Sequence, residues 1–303
     1  MEETKALVYH KPVLMNEVLH YLNIKPGKTY LDVTFGTGGH TRAILEKEPT
    51  CSVIAFDWDA DELERYGTPL KEEFGDRLTL VWGNFAILYK LLKKAGVSKV
   101  DGILADFGTS QVQIAEREGV SFWRNTPLDM RLSPAHFQQT AADVVNQMSE
   151  KDLRELFWEL GEEQHARSIA RAIDLARSKK KIETTGQLVD IIIKAMPATV
   201  KKRGTHPATK VFQALRMYVN KELENLQSFL VAAVRALKPQ GRIVCISFHS
   251  IEDRSVKQFF KDQERLLALE ILTPKVVKAT PEELALNPSS RSACLRVAEK
   301  KSL

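Results

Sequence analysis

Cysteine is scarce in this chain, and long apolar runs are absent. The three cysteines, Cys51, Cys245 and Cys294, are widely spaced, which suits neither a disulfide framework nor a zinc site, so we expect no metal. No apolar run reaches the length of a membrane span, and the acidic start at residues 1–4 has no apolar signal region. These absences favour a protein of the reducing cytoplasm with no membrane partner.

A strong charge of one sign is also lacking. The 44 Lys and Arg residues against 39 Asp and Glu leave a net charge of +5, which is a mild bias toward polyanionic partners. The content of 44% hydrophobic and 27% charged residues is ordinary for a globular protein. A length of 303 residues suffices for two domains, or for one domain with a large insertion. The sequence indicates no oligomeric state, so a homo-oligomer is left open.

Alternating strand and helix patterns predict an α/β fold. An opening helix follows Pro12 and ends before Pro26. Strands are predicted at 30–35, 52–57, 78–82, 100–107 and 242–248, with a weaker one near 295–297. Repeated strand and helix units of this kind form a parallel sheet that is covered by helices on both faces.

A helical insertion separates the fourth predicted strand from the fifth, because well over a hundred residues there show no convincing strand. Helices are predicted at about 149–161, 163–178 and 185–196, the first of them capped by Ser149. We place the insertion at 114–205, which leaves 1–113 and 206–303 for the sheet domain. A long helix from Pro207 to about Leu237 then returns the chain to the sheet.

The stretch from Leu31 to Thr41 joins a buried strand to a glycine-rich turn and a helix. Glycines let the backbone approach a ligand closely, and the helix start offers unpaired N–H groups. Asp57 ends the next strand, where its carboxylate suits the two hydroxyls of a ribose. The dinucleotide motif requires a third glycine where this chain has Thr41, so a cofactor without a pyrophosphate, such as S-adenosylmethionine, fits better than NAD. A tight turn without any ligand is the alternative.

Further candidate residues follow other strands at the same edge of the predicted sheet. Asp106 ends the fourth strand and is expected at the reaction centre, with capping of the next turn as the alternative. Phe85 follows the third strand and suits either the face of an adenine ring or the core. His249 leaves the fifth strand and is a candidate for contact with substrate. Ser250 and Asp253 have the spacing of a helix cap, so Ser250 is expected to cap the next helix.

The segment Lys201–Lys210 combines a basic run with the predicted start of a helix. Pro207 suits the first helical position and His206 suits the cap. Cations beside a helix N-terminus form a phosphate site, whereas most basic runs are solvated loops. Its place, where the insertion rejoins the sheet, favours the phosphate site.

Seven sequence blocks occur in a fixed order along nearly the whole chain. They are Thr34–Thr41, Asp106–Gly108, Pro127–Arg131, Gly161–Glu163, His206–Thr209, Phe212–Arg216 and Ser247–Arg254. In these blocks the chain resembles the S-adenosylmethionine-dependent enzymes that methylate the exocyclic N4 of a cytidine in bacterial small-subunit (16S) ribosomal RNA. Several blocks in the right order are far more specific than any single one.

The resemblance implies a Rossmann-like class I methyltransferase sheet with an inserted all-helical domain that recognises the substrate. It implies S-adenosylmethionine as cofactor and small-subunit ribosomal RNA as partner. The cofactor residues it implies are Gly38, Gly39, His40, Asp57, Phe85, Asp106 and Gln113. The substrate candidates are Ser110, His206, Lys210 and His249. Gln111 stands where the family usually has the second serine of Gly-x-Ser-Ser-x-Gln-Leu, a departure that concerns local contacts and not the fold.

Our hypothesis for the reaction is a direct in-line transfer of the methyl group, in which Asp106 accepts a hydrogen bond from the amine and helps its proton leave. Methylation at cytosine C5 would need a nucleophilic thiolate, conventionally a Cys after Pro, and none of the three cysteines follows a proline. Adenine N6 would demand chemistry similar to that of cytosine N4. A small-molecule methyltransferase and a non-catalytic RNA-binding factor that retains the cofactor fold also stay open.

Overall fold

The computed structural model describes residues 12–197 and 206–302, and the chain divides into two units. One unit is formed by Met1–Gly108 with Glu224–Leu303, and the other by Thr109–Leu223. The range of the second unit includes the predicted insertion, 114–205, and extends beyond it in both directions. Among the described residues, no helix has both the length and the apolar character needed to cross a bilayer.

The first unit is built on a seven-stranded sheet. Its strands are β1 (Thr29–Asp32), β2 (Ser52–Asp57), β3 (Leu78–Trp82), β4 (Val100–Asp106), β5 (Leu237–Ser247), β6 (Leu269–Ile271) and β7 (Cys294–Lys300). They lie in the order β3-β2-β1-β4-β5-β7-β6, with the first five parallel and β7 antiparallel to both of its neighbours. The order reverses between β1 and β4, and open α/β sheets bind ligands outside the carboxyl ends of the strands at such a point.

The six predicted strands are confirmed, and β6 is an addition. Regular pairing in β1 ends at Asp32 instead of residue 35, but the backbone beyond it stays paired. The Val33 N–H donates to the Leu104 carbonyl on β4 at 3.0 Å, and the Phe35 N–H donates to the Phe56 carbonyl on β2 at 2.9 Å. The chain that enters the glycine turn is therefore held by a strand on each side.

Strand β5 begins at Leu237, earlier than the predicted residue 242. The pairing of β4 with β5 shifts register between Val100 and Gly102, and Gln240 has a positive φ of 62°. Such an irregularity lets extra residues bulge out of a strand without ending its pairing. Pro239 and Gly241, which precede the predicted strand, lie within the bulged strand.

Helices precede, follow and separate the strands. In chain order they are α1 (Met15–Leu22), α2 (Gly39–Lys47), α3 (Ala60–Glu62), α4 (Thr68–Phe74), α5 (Leu88–Lys94), α6 (Gln111–Glu116), α7 (Ala141–Gln147), α8 (Glu150–Glu159), α9 (Ala166–Arg177), α10 (Thr185–Ala195), α11 (Thr209–Val219), α12 (Glu222–Ala236), α13 (Ser250–Arg265) and α14 (Pro281–Leu286). A π-helical turn, Leu63–Gly67, joins α3 to α4. The opening helix is confirmed as α1, with Val18 and Leu22 buried as its apolar stripe predicts.

The second unit is helical in the parts that are described, with one isolated bridge between Pro127 and Thr184. The three helices predicted within the insertion are confirmed as α8, α9 and α10, and the Ser149 hydroxyl accepts the Asp152 N–H at 3.1 Å as predicted. Apolar side chains from several helices share one core, in which Phe157, Ile169 and Leu188 are fully buried. This core is what the spacing of apolar residues along each helix predicts.

The long helix predicted from 207 to 237 is wrong, because it is two helices, α11 and α12. Between them Lys221 has a positive φ of 50°. The buried Asn220 side chain donates to the Met130 carbonyl and accepts the Leu132 N–H, each at 2.8 Å. These hydrogen bonds join Asn220 to backbone groups of a loop some ninety residues away, so local periodicity could not predict the break between the two helices.

Candidate cofactor and active site

The glycine turn leaves β1 and enters α2 at the point where the strand order reverses. Gly36 and Gly38 have φ values of 52° and 78°, in the left-handed region that favours glycine. A Cβ added at Gly38 would lie 2.7 Å from Cζ of Phe35, whereas one added at Gly36 would have no neighbour closer than 4.0 Å. The turn is thus packed against the protein at Gly38 and open beside Gly36, as a ligand cradle requires.

Thr41 occupies the position of the missing third glycine, and its hydroxyl has a partner in the sheet. Thr41 Oγ1 donates to Oδ2 of Asp32 at 2.7 Å, and both residues are buried. The Thr34 N–H donates to Oδ1 of Asp32 at 3.2 Å. Burial, opposed by these hydrogen bonds, raises the pKa of Asp32 to about 6. Thr41 therefore links helix α2 to the end of β1, where a glycine would leave a buried carboxyl without this donor.

Asp57, at the end of β2, connects its strand to the glycine turn. Its Oδ2 accepts the Gly36 N–H at 2.8 Å, and its Oδ1 accepts the Asp59 N–H at 2.9 Å. Burial raises the pKa of Asp57 to about 7, against the effect of the two N–H donors, and the nearby Asp59 and Asp32 add to the rise. The carboxyl group lies beside the open side of the turn, which is where the ribose-binding prediction needs it.

Phe85 follows β3 in a short 3-10 turn and is half-buried within an aromatic cluster. Its ring packs edge-on against Phe107 and Phe229, with centroids 6.0 and 5.5 Å away, and lies 6.3 Å from Trp58. Trp58 directly follows Asp57, so two aromatic rings stand after two adjacent strands. Phe85 is thus packed against core rings and stays partly exposed, and its contact with an adenine ring stays a prediction.

Asp106 ends β4, across the switch point from the glycine turn. Its backbone N–H donates to Thr34 Oγ1 at 2.7 Å, and its side chain keeps 21% of its surface exposed. Burial is the largest cause that raises the pKa of Asp106 to about 7, helped by the charges of Asp32 and Glu252 and opposed by the Gly108 N–H. An accessible carboxyl with a pKa near neutrality suits acceptance of a proton.

His40, in the first turn of α2, faces Asp106. Its Nε2 lies 3.0 Å from the Val13 carbonyl oxygen, and its Nδ1 lies 3.9 Å from Oδ2 of Asp106. Burial lowers the pKa of His40 to about 4, so the ring is neutral at pH 7. The neutral ring donates from Nε2 to Val13, which leaves Nδ1 as an acceptor toward Asp106.

The cap of helix α13 differs from the prediction. His249, not Ser250, is the capping residue, and its Nδ1 accepts the Glu252 N–H at 3.4 Å. The strand ends at Ser247, so two residues intervene before the helix and Ser250 becomes its first residue. His249 Nε2 is 3.2 Å from Oε1 of Glu252, in a geometry too poor for a hydrogen bond, and this buried nitrogen has no hydrogen-bond partner among the described residues. Contact of His249 with substrate stays a prediction.

Ser110 and Gln113 form a capping box at the start of α6 in the second unit. Ser110 Oγ accepts the Gln113 N–H at 3.0 Å, and Gln113 Oε1 accepts the Ser110 N–H at 3.2 Å. Gln111 is the first residue of this helix. The substrate role of Ser110 and the cofactor role of Gln113 stay predictions, and the structure gives both side chains a local function as well.

The predicted start of the returning helix is wrong by two residues. Helix α11 begins at Thr209, and the His206 ring instead accepts the Ala208 N–H through Nδ1 at 3.2 Å. Pro207 lies in the turn before the helix. Lys210 Nζ donates to the Glu162 carbonyl at 2.7 Å. The basic residues at 201–205 lie outside the described residues, so the predicted phosphate site is represented in the structure by 206–210 alone.

Residues 7–301 match the family model described as the MraW methylase family. The chain belongs to this family. Ribosomal RNA small subunit methyltransferase H of Carboxydothermus hydrogenoformans is 44% identical over 307 residues, covering 96% of this chain and 97% of that protein. The protein of the same name from Deinococcus deserti is 46% identical over 298 residues, covering 98% and 95%. A solved structure described as a putative rRNA methylase from Clostridium thermocellum aligns over 96% of this chain and 100% of that chain, with 13% identity and a TM-score of 0.46.

As a MraW methylase family member, the chain is a methyltransferase, and S-adenosylmethionine is its methyl donor. The residues at the switch point fit that cofactor. The space beside Gly36 is open, the Asp57 carboxyl adjoins it, and Phe85 offers a partly exposed ring. The doubly wound part of the sheet, with its two added strands, is the fold that the resemblance implied.

Sequence reasoning missed three residues that shape this site and the second unit. Asp32 carried a signal, because a charged residue within an otherwise apolar strand requires a buried partner. Trp58 follows Asp57 directly, so it was predictable as a residue at the sheet edge. Asn220 gave no local signal, since its partners, Met130 and Leu132, are distant in sequence.

Proposed function

We propose that this methyltransferase transfers a methyl group from S-adenosylmethionine to the exocyclic N4 of a cytidine in 16S ribosomal RNA. The names of its relatives support small-subunit ribosomal RNA as substrate. The choice of cytidine N4 rests on the family resemblance of the seven sequence blocks. The observation that carries the proposal is Asp106, a partly exposed carboxyl at the end of β4, across the switch point from the glycine turn.

The cofactor is assigned to the turn Gly36–His40 with Asp57 and Phe85. Backbone N–H groups at the start of α2 can donate to a polar ligand. The open side of Gly36 lets that ligand approach the backbone closely. Asp57 keeps one lone pair on each oxygen beyond those used by Gly36 and Asp59, so it can accept ribose hydroxyls. The bound cofactor supplies an electrophilic sulfonium methyl group.

Asp106 is the group that we assign to the acceptor amine. The N4 lone pair is delocalised into the cytosine ring, which makes the amine a poor nucleophile. A carboxylate that accepts a hydrogen bond from one amine N–H fixes the orientation of the amine and directs the nitrogen lone pair toward the methyl group. As the N–C bond forms and the C–S bond breaks, the amine proton passes to Asp106 and from there to solvent.

Substrate recognition is assigned to the helical unit and to the segment Lys201–Lys210. A base must leave its stack to meet a methyl donor in a pocket, so the enzyme has to hold RNA on both sides of the target. Four Lys and Arg residues and no acid in this segment suit the phosphates of that RNA. We infer from a ribosomal RNA substrate that the reaction takes place in the cytoplasm.

The test is transfer of labelled methyl from S-adenosylmethionine to small ribosomal subunits, and separately to their free RNA, from cells that lack the modification. Nucleoside analysis of the RNA should give labelled N4-methylcytidine. Label on N6 of adenosine would keep the enzyme class and overturn the target. Absence of transfer to any RNA, with tight cofactor binding, would favour a small-molecule substrate or a non-catalytic factor.

A further inference from the structure

Trp123 is the most exposed of the large apolar side chains in the described residues, with 77% of its surface accessible. It lies in the loop between α6 and α7 of the second unit. Exposing an indole ring to water is unfavourable, and exposed aromatic residues often mark binding surfaces. This side chain therefore needs an explanation.

The Trp123 ring is held by other rings. Phe122 packs beside it with centroids 5.1 Å apart, and His206 lies 5.1 Å from it at an angle of 60°. Phe122 and His206 stack on each other at 4.6 Å and 14°, and Phe122 meets Phe212 edge-on at 5.5 Å. Phe212 is part of the core of the second unit. The exposed indole is thus supported by a ring cluster anchored in the core, and little conformational entropy is lost when it binds.

Cations adjoin the ring residues in the sequence. Arg124 directly follows Trp123 and is exposed, and Lys210 follows His206 by four residues. In the sequence, His206 follows a run that contains Lys201, Lys202 and Arg203 and no acid. Proteins that bind single-stranded RNA commonly combine aromatic rings with cations, because bases stack on the rings and cations bind the phosphates.

We propose that Trp123, backed by Phe122 and His206, is a stacking platform for one unpaired base of the substrate RNA. The proposal rests on the proposed function and specifies a contact of that substrate with the helical unit. A protein partner fits less well, because a stable protein interface buries at least about 1,000 Å² and one indole offers about 250 Å² at most. A base has a flat apolar face of the size of one indole.

Trp158 provides a matched control. It belongs to α8 of the same unit and is 60% exposed, but it has no ring contact among the described residues. Trp123→Ala should weaken binding of a short single-stranded oligoadenylate RNA by about 5- to 150-fold, the range for loss of one stacked base. Trp123→Phe should retain most of the affinity, and Trp158→Ala should leave it unchanged. Equal affinity of Trp123→Ala and the wild type would overturn the proposal.

Tryptophan fluorescence tests whether the contact is stacking. RNA should quench the wild-type emission, and Trp123→Phe should lose that quenching while it still binds, whereas Trp158→Phe should keep it. An abasic strand of the same length should bind mainly through its phosphates and quench little. Equal quenching by the abasic strand would show that the ring does not stack on a base.

Kinetics separate this inference from the proposed function. With small ribosomal subunits as substrate, Trp123→Ala should raise KM by the same factor as its loss of RNA affinity and leave kcat and the cofactor Kd unchanged. Wild-type transfer with an unchanged KM in Trp123→Ala would overturn the platform alone. If no RNA accepted a methyl group, the proposed function would fail, and the binding and quenching results would still decide whether Trp123 stacks on a base.

Discussion

His40 Nδ1 lies 3.9 Å from Oδ2 of Asp106, and the two side chains do not form an ion pair at neutral pH. Burial lowers the pKa of His40 to about 4 and raises that of Asp106 to about 7. The ring is consequently neutral where the carboxyl titrates. Asp106 gains no cation from His40, so its charge changes in the range where the enzyme has to work.

The pH dependence of the reaction should show the titration of Asp106. The carboxylate accepts the amine N–H only when ionised, so kcat at saturating cofactor should rise about tenfold per pH unit below pH 7 and level off above it. His40 should add no second inflection between pH 5.5 and 8.5. The variant His40→Gln should lower the rate without moving the inflection; a flat wild-type profile would contradict the assignment.

The free energy of unfolding should also change with pH as Asp106 titrates. Because the folded-state pKa of Asp106 is raised above its ordinary 3.8, the contribution of this group is fully present below about pH 3.8 and is lost as pH rises through about 7. Asp106→Asn removes that loss, so it should exceed the wild type in unfolding free energy at pH 8 by at most about 4 kcal/mol and match it near pH 4. Urea unfolding at both pH values measures the difference.

The exposed Asp76→Asn is the control for that comparison, and it should leave the unfolding free energy unchanged at both pH values. Asp32 and Asp57 contribute slopes of the same sign as Asp106. The contribution of Asp57 is present in both proteins and cancels in the difference, whereas Asp32 interacts with Asp106, so the difference includes the loss of that interaction. An Asp106→Asn protein that is no more stable than the wild type at pH 8 would show that burial does not raise the pKa of this carboxyl.

Gly38→Ala should impair cofactor binding more than its backbone conformation alone explains. Gly38 and Gly27 both have positive φ, 78° and 67°, so alanine costs about 1–2 kcal/mol at either site. At Gly38 the new Cβ would also press on the Phe35 ring, whereas nothing lies within 4 Å at Gly27. Calorimetric titration with S-adenosylmethionine should show at least about tenfold weaker binding for Gly38→Ala and no change for Gly27→Ala. Equal effects would mean that the turn does not shape the cofactor site.

Thr41→Val should destabilise the first unit although it preserves the shape of the side chain. The substitution removes the donor to Asp32 Oδ2 in a buried position, which costs about 1–3 kcal/mol. Thr41→Ser retains the hydroxyl and loses one methyl group, so it should cost about 1 kcal/mol. Chemical unfolding at pH 8 measures both. If Thr41→Val were the more stable of the two, the hydroxyl would have no part in holding α2 to β1.

The sequence was sufficient to place Asp57 and Asp106, because each ends an apolar run and the carboxyl ends of parallel strands share one edge of the sheet. It was insufficient for the cap of α13. His249 and Ser250 are adjacent, and each has a suitable residue three positions later, so spacing alone could not choose between them. The choice depends on where β5 stops, and strand ends are set by pairing with neighbours.

Long-range partners explain the remaining differences. The break between α11 and α12 depends on Asn220 and the loop near Met130, which are adjacent only after folding. Thr41 departs visibly from the dinucleotide motif in the sequence. Its hydrogen bond to Asp32 could not be predicted, because that bond depends on how β1 and α2 lie relative to each other. Periodicity and spacing report local structure, whereas these contacts join segments that are distant in the chain.

The rate of a single turnover by Asp106→Asn tests whether Asp106 accepts the amine proton. Enzyme saturated with labelled S-adenosylmethionine is mixed with small ribosomal subunits that lack the modification, and formation of methylated cytidine is followed between pH 6 and 9. We expect a rate at least about 100-fold below that of the wild type and no inflection near pH 7. A variant that transfers methyl at the wild-type rate and keeps the same pH dependence would contradict the role of Asp106 as acceptor of the amine proton.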